Sequence, residues 1–459
     1  MSLRNIHLII LISLTTVLRI HNLGYKSIWY DEAMTYFISS LGMKSLKLIS
    51  TETAQPLYFL IMAPFVKLLG GNEFGLRLIS VILGILSIAV FYILIAKYHS
   101  FKLAFYSGIL LTLSPFHIWY SQEARCYTLF LTLTLSMIYF FLQSLSSHDR
   151  KSLYLFSFFS ILNLYTHYYS IIVLLVIYLY ILLFHHKEKN KYIKIGMVIV
   201  LAFLPYFFAA TIHHIHFHSW QFSSLNWQNL KNLALEFSPF APLTKFPSLK
   251  YLSWIMGSLV IYGIIWGFRK MRFLPFFTIG YISIVFMITT VISLYHHRFM
   301  ISILPFYYLF LVIAIFNLGK SFSTIFYSCV IILSIFSLIH YESWNKKPDW
   351  RSVAHYLQNY CNREDKIFIQ PLWEKITLEY YIPHVEKRLL KLRDVYYNKK
   401  YKEFLLVIEY NYKNPVRTFE ILKRVGNQGY SILNLREFER VWVVKMKFTG
   451  GNYESKRTN

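Results

Sequence analysis

Runs rich in Leu, Ile, Phe and Val, each roughly 15–25 residues long, recur from Ile6 to His340. Helices of that length cross about 30 Å of hydrocarbon and satisfy every backbone group internally. The pattern predicts spans at about 5–20, 76–96, 103–120, 126–145, 152–165, 170–184, 195–212, 250–267, 273–294, 299–316 and 322–340. The stretch 56–70 opens on Pro56, carries Pro64 and reads as a juxtamembrane or re-entrant helix. The expected total is about 11–13 membrane helices. From Tyr341 the pattern changes. Apolar β-rich runs at Lys366–Gln370, Phe404–Glu409 and Val441–Phe448 alternate with helical periodicity at Trp350–Tyr360, Lys375–Tyr381 and Arg417–Val425. The chain thus reads as an α-helical polytopic membrane domain, 1–340, followed by a small C-terminal α/β domain, 341–459.

Composition agrees: 56% of residues are hydrophobic and 15% charged, against about 25% charged in soluble domains. A membrane barrel would need short alternating strands instead. The first apolar run lacks a small-residue cleavage site and passes directly into Arg19-Ile20-His21-Asn22, unlike a secretory signal. The three cysteines show neither metal-ligand nor disulfide spacing.

The net charge of +25 suggests a nucleic-acid partner, but its distribution does not. Residues 1–340 hold 24 Lys/Arg, many in short loops, and the tail spreads 23 against 14 acids. Anionic headgroups or a phosphate-bearing substrate account for this, and no nucleic-acid partner is expected. With the N-terminus in the cytoplasm, thirteen Lys/Arg fall on the inner side, while the short outer turns carry only Arg125 and Arg298. That asymmetry predicts the orientation. It puts the Asp31-Glu32 loop, the 213–249 loop and the tail outside.

Acids are scarce in the first 340 residues: Asp31, Glu32, Glu52, Glu73, Glu123, Asp149, Glu188 and Glu236. All but Asp149 and Glu188 fall on the outer side. Trp29-Tyr30-Asp31-Glu32-Ala33 places two carboxylates beside a bilayer, where ionised groups are costly and mark function; the alternative is a solvated loop. Tyr120-Ser121-Gln122-Glu123-Ala124-Arg125-Cys126-Tyr127 places an acid and a guanidinium in a turn too short to solvate them. They either close a hairpin as a structural pair or line an outer cavity. Arg298 follows in Tyr295-His296-His297-Arg298-Phe299, where its planar fork suits phosphate or snorkels to headgroups. His167 lies at the same depth, a position more often structural. The run His213, His214, His216, His218 lacks the spacing and carboxylate of a metal set.

Taken in order, these segments resemble the bacterial lipid-linked-sugar glycosyltransferases related to protein O-mannosyltransferases and the lipid A aminoarabinose transferase (family 39, RgtA-like, GT-C fold). The resemblance rests on Trp29 to Ala33, Gln55-Pro56-Leu57-Tyr58, Leu76-Arg77-Leu78, Tyr120 to Tyr127, Arg298-Phe299 with Pro305, and Lys347-Pro348-Asp349-Trp350-Arg351; it covers about residues 10–370. The usual His-Pro before Pro56 is Ala54-Gln55 here. The resemblance implies transfer of a sugar from a polyprenyl-phosphate donor to a glycan, lipid or protein acceptor. Transfer would occur at the outer face of the bacterial cytoplasmic membrane and invert the anomeric carbon. It implies Asp31 as general base, Glu32 and Glu123 as groups that orient the acceptor or hold a cation, and Arg125 and Arg298 as donor-phosphate ligands. Tyr127, His167 and Arg77 would support them. No metal ligand is assigned, and dependence on a divalent cation is left open. The competing classes are a transporter or flippase, or a polymerase, of lipid-linked saccharides. Alternating access usually brings internal repeats and broken helices, and neither is visible in the sequence. The sugar, acceptor and oligomeric state are not legible.

Overall fold

The apolar runs fold as helices in the computed structural model, which describes residues 2–42, 55–147, 149–214, 224–344, 347–362, 364–390, 401–410 and 415–450. The chain divides into two compact units. One is Met1–Leu23 with Ile38–Asn345; the other is Gly24–Phe37 with Lys346–Asn459. Helices are numbered along the chain: α1 (Leu3–Ile20), α2 (Tyr30–Ser40), α3 (Pro56–Leu69), α4 (Glu73–Tyr98), α5 (Phe101–Leu113), α6 (Pro115–Ser121), α7 (Tyr127–Ser146), α8 (Arg150–Leu164) and α9 (Ser170–Phe184). Then come α10 (Lys189–His214), α11 (Trp227–Phe237), α12 (Pro247–Gly267), α13 (Phe273–Val291), α14 (Leu304–Phe316) and α15 (Lys320–Ile339).

Among the described residues, eight helices are long and apolar enough to cross a membrane, and α5 with α6 makes a ninth if that bent pair is one span. The protein is a multi-pass membrane protein. The expected 11–13 exceeds this count because α3, α8 and α9 have 14 or 15 residues. At 1.5 Å rise they cover only about 20–23 Å. The side chains of the His213–His218 run, and Glu52, lie outside the described residues.

The single span expected over 103–120 is broken by 66° between α5 and α6. Pro115 cannot donate to the helical ladder and its ring crowds the preceding turn. Ser114 caps the new helix by accepting from the His117 amide. The carbonyl of Thr112, at the break, accepts from Arg19 Nη1 at 3.0 Å. Arg19 Nη2 lies 2.8 Å from His117 Nδ1, and His117 Nε2 lies 2.9 Å from Ser87 Oγ. Because Arg can only donate, Nδ1 accepts and the imidazole proton sits on Nε2. All four residues are fully buried. Neighbouring side chains thus re-satisfy backbone that a proline has freed, as the bilayer demands.

The second unit carries a four-stranded sheet of order β1-β2-β4-β3, formed by β1 (Ile367–Gln370), β2 (Glu403–Glu409), β3 (Tyr430–Phe438) and β4 (Val441–Phe448). β1 and β2 are parallel; the other pairs are antiparallel. Central β2 is buried from Phe404 to Ile408 without alternation, which requires cover on both faces. Trp350, Val353 and Leu357 of α16 (Trp350–Asn359) and Leu378 of α17 (Lys375–Tyr381) pack on one face. Val425, Ile421 and Leu422 of α18 (Pro415–Gly426) pack on the other. The three expected strands and three expected helices are present. β3 was not foreseen, because it is mostly exposed along its length and alternates weakly.

Candidate active site

Asp31 and Glu32 lie in the first turn of α2, where the helix dipole favours anions. Glu32 and Ala33 each donate their amide to the Trp29 carbonyl at 3.0 Å, which closes the turn. Asp31 is 8% exposed and Glu32 fully buried. Buried carboxylates need partners. Glu32 has Lys347, whose ammonium stands 3.1 Å from Oε2 and 5.8 Å from the centre of the Trp29 ring.

The segment Lys347–Arg351 is organised around this loop residue by residue. The Pro348 carbonyl accepts from Ser27 Oγ at 2.6 Å. Asp349 caps α16 by accepting from the Ser352 amide. Trp350 is fully buried in the core of the second unit. Arg351 donates to the carbonyls of Tyr25 and Gly24 at 3.1 and 3.0 Å. From α17, the Tyr381 hydroxyl accepts from the Ile28 amide at 2.7 Å, and Tyr380 meets Tyr36 edge-on. Glu374, at the start of α17, is buried and accepts from Thr377 Oγ1 at 2.7 Å. Burial first, then the neighbouring Glu409, holds its carboxyl well above the usual carboxylate range, and Asp31 adds in the same direction. Glu409 in turn pairs with Arg440 at 2.9 Å.

In the first unit, residues 122–126 turn between α6 and α7. Trp119 Nε1 donates to Glu123 Oε2 at 2.9 Å, one helical turn along. Glu123 is 1% exposed. The Arg298 guanidinium lies 5.5 Å from the Tyr127 ring centre and 5.6 Å from that of Phe299, within cation–π reach. His167 stacks on Phe130 and meets Phe299 edge-on, with both centroids at 4.8 Å. Burial first, then the charges of Arg298 and Arg125, press the His167 pKa down to about 3. The imidazole is therefore neutral at physiological pH, and its Nδ1 accepts from the Tyr169 amide. Beside Arg298, His297 Nε2 lies 3.4 Å from Glu236.

Glu123, Arg125, Tyr127, His167 and Arg298 therefore gather within the first unit, whereas Asp31 and Glu32 belong to the second. Arg77, buried in α4, donates to the Leu23 carbonyl at 2.9 Å and so pins the end of the α1 segment. Sequence reasoning assigned no role to Trp119, Lys347, Glu236 with His297, or Glu374. Only Trp119 carried a usable signal, its i,i+4 spacing from Glu123. Among the described residues, no group of three or more His, Cys, Asp or Glu side chains could hold a metal ion.

Residues 53–208 match the sequence profile of dolichyl-phosphate-mannose-protein mannosyltransferases. No curated protein matches the chain. Among solved structures, apo ArnT from Cupriavidus metallidurans superposes with TM-score 0.64 at 12% identity, over 97% of this chain and 98% of that one. The same enzyme bound to undecaprenyl phosphate gives 0.60 at 12% identity, over 98% and 99%. The chain has the GT-C fold. The Archaeoglobus fulgidus oligosaccharyltransferase, in complex with Zn and sulfate, is similar at TM-score 0.55 and 13% identity, over 83% of this chain and 62% of that one.

Proposed function

We propose that this protein is an inverting glycosyltransferase that moves a sugar from a polyprenyl-phosphate carrier to a hydroxyl of a cell-envelope glycan, lipid or protein. The observation that carries the proposal is a fold shared end to end with ArnT, a protein also solved with undecaprenyl phosphate bound. The acid and base inventory fits it. Asp31, presented at a helix N-terminus, takes the proton of the acceptor hydroxyl. The acceptor oxygen then attacks the anomeric carbon, the bond from that carbon to the phosphate oxygen breaks, and its electron pair leaves with polyprenyl phosphate. Positioned base catalysis of this kind contributes roughly 10²–10⁴-fold. Arg125 and Arg298 stabilise the leaving phosphate, where fixed cations in a low-dielectric site act strongly. Glu123, held by Trp119, orients the acceptor. His167 is too weak a base to compete and serves as a neutral wall. The reaction takes place on the outer face of the bacterial cytoplasmic membrane, with the N-terminus inside and the 341–459 domain outside, as the Lys/Arg asymmetry of the loops supports.

The test is reconstitution of the purified chain in nanodiscs and vesicles, with mass-spectrometric identification of the copurifying lipid. A polyprenyl-phosphate sugar that the protein converts to free polyprenyl phosphate is the expected result. Movement of an intact lipid-linked sugar across the vesicle membrane, with no cleavage, would establish a flippase instead.

A further inference from the structure

Two neighbouring carboxylates in a protein interior repel each other, and the usual outcome is that one keeps a proton. Asp31 and Glu32 are adjacent in sequence and both are buried. A general base must nevertheless be ionised. The groups around them differ in sign. Glu374 at the start of α17 and Glu409 of β2 are acids, Glu409 paired with Arg440. Tyr381 is engaged through its hydroxyl with the Ile28 amide, and Arg351 of α16 with backbone carbonyls of 24 and 25. Lys347 makes a side-chain ion pair with Glu32 of the α2 turn, at 3.1 Å, and its side chain is 6% exposed. It sits 315 residues away in sequence, held in place because Pro348, Asp349, Trp350 and Arg351 are each anchored.

Building on the assignment of Asp31 as base, we propose that Lys347 is a positioning residue for the reaction: by compensating the charge of Glu32 it lets Asp31 ionise beside it. It acts through Glu32 and does not touch the reacting atoms. Its charge is what matters, so the linkage has a definite sign. A cation within hydrogen-bond distance favours the charged form of a carboxylate, by about 1–3 pH units in typical cases. Removing it must therefore raise the pH at which the Asp31–Glu32 pair loses its last proton.

Infrared titration of the full chain in nanodiscs reads this without a substrate. The carboxyl C=O bands of Asp31 and Glu32 are assigned by subtraction of the D31N and E32Q spectra. K347Q keeps a hydrogen-bond donor near Glu32 and loses only the charge. It should raise one midpoint by at least about one pH unit. K347R should stay at the native position. The charge-balanced double variant E32Q/K347Q should return the Asp31 midpoint to the native value. Unshifted midpoints in K347Q, or an Asp31 midpoint still raised in the double variant, would overturn the proposal. Donor turnover by D31N is measured separately. Normal turnover there would remove Asp31 from the mechanism, whatever the infrared result for Lys347.

Discussion

At the scale of single residues, the second unit carries a side chain whose environment opposes its charge. Glu374 is buried beside Glu409, and its carboxyl is held well above the ordinary 4.5. A raised native value has one sign under linkage. The stabilisation is fully present below the ordinary 4.5 and is lost as pH climbs through the raised value. Glu374→Gln keeps the acceptor for Thr377 and removes the ionisation. The variant should melt above the native chain at pH 8, with the difference shrinking to nothing toward pH 4. Equal melting at both pH values would show that folding does not raise the Glu374 carboxyl above its unfolded value. None of this was visible beforehand, since nothing in Leu372-Trp373-Glu374-Lys375-Ile376 sets this acid apart from the other acids of the tail. Asp31, Glu123, Arg125 and Arg298 were visible because charge is rare in the first 340 residues, so each exception called for an explanation. Lys347 stood in the Lys347–Arg351 motif without a role, and its partner, distant in sequence, gives it one.

Elements were legible wherever one period dominated. Each long apolar run became a helix, and the uninterrupted apolar stretch Phe404–Ile408 became a strand covered on both faces. The break between α5 and α6 was missed although Pro115 was in plain sight. Composition alone cannot say whether a proline kinks a helix or ends it; that depends on a partner for the freed backbone, here Arg19. β3 was missed because an exposed strand lacks the alternation that a buried face imposes. Close helix contact is a second property of elements. A Cβ at Gly263 of α12 would collide with the backbone carbonyl of Phe310 in α14, and small residues are what permit membrane helices to approach. Gly263→Val should therefore cost about 1–3 kcal/mol, the usual penalty of overpacking. Reversible unfolding in mixed micelles measures it, and a loss below about 0.5 kcal/mol would mean that α12 shifts freely to make room.

For the whole molecule, the outcome is a multi-pass helical unit and a small α/β unit in one GT-C chain, with the Gly24–Phe37 segment counted in the α/β unit. The class of fold was readable because membrane helices follow from hydropathy so directly. The membership of Gly24–Phe37 was not, since it rests on contacts such as Arg351 to Gly24 that bridge more than 300 residues. The proposed orientation rests on the loop charges and makes a prediction: a cysteine replacing exposed Lys402 should react with an impermeant thiol reagent in intact cells. Labelling that appears only after lysis would invert the topology.

In the proposed mechanism Asp31 performs the chemistry while the arginines hold the donor. Release of polyprenyl phosphate from the donor lipid, measured alongside donor affinity in nanodiscs, separates the two. Asp31→Asn keeps size and hydrogen bonding but loses the base, so release should fall at least about 10²-fold with binding unchanged. Arg298→Ala should weaken binding, because it removes a charge partner of the phosphate. An Asp31→Asn protein that releases polyprenyl phosphate at the native rate would contradict the mechanism.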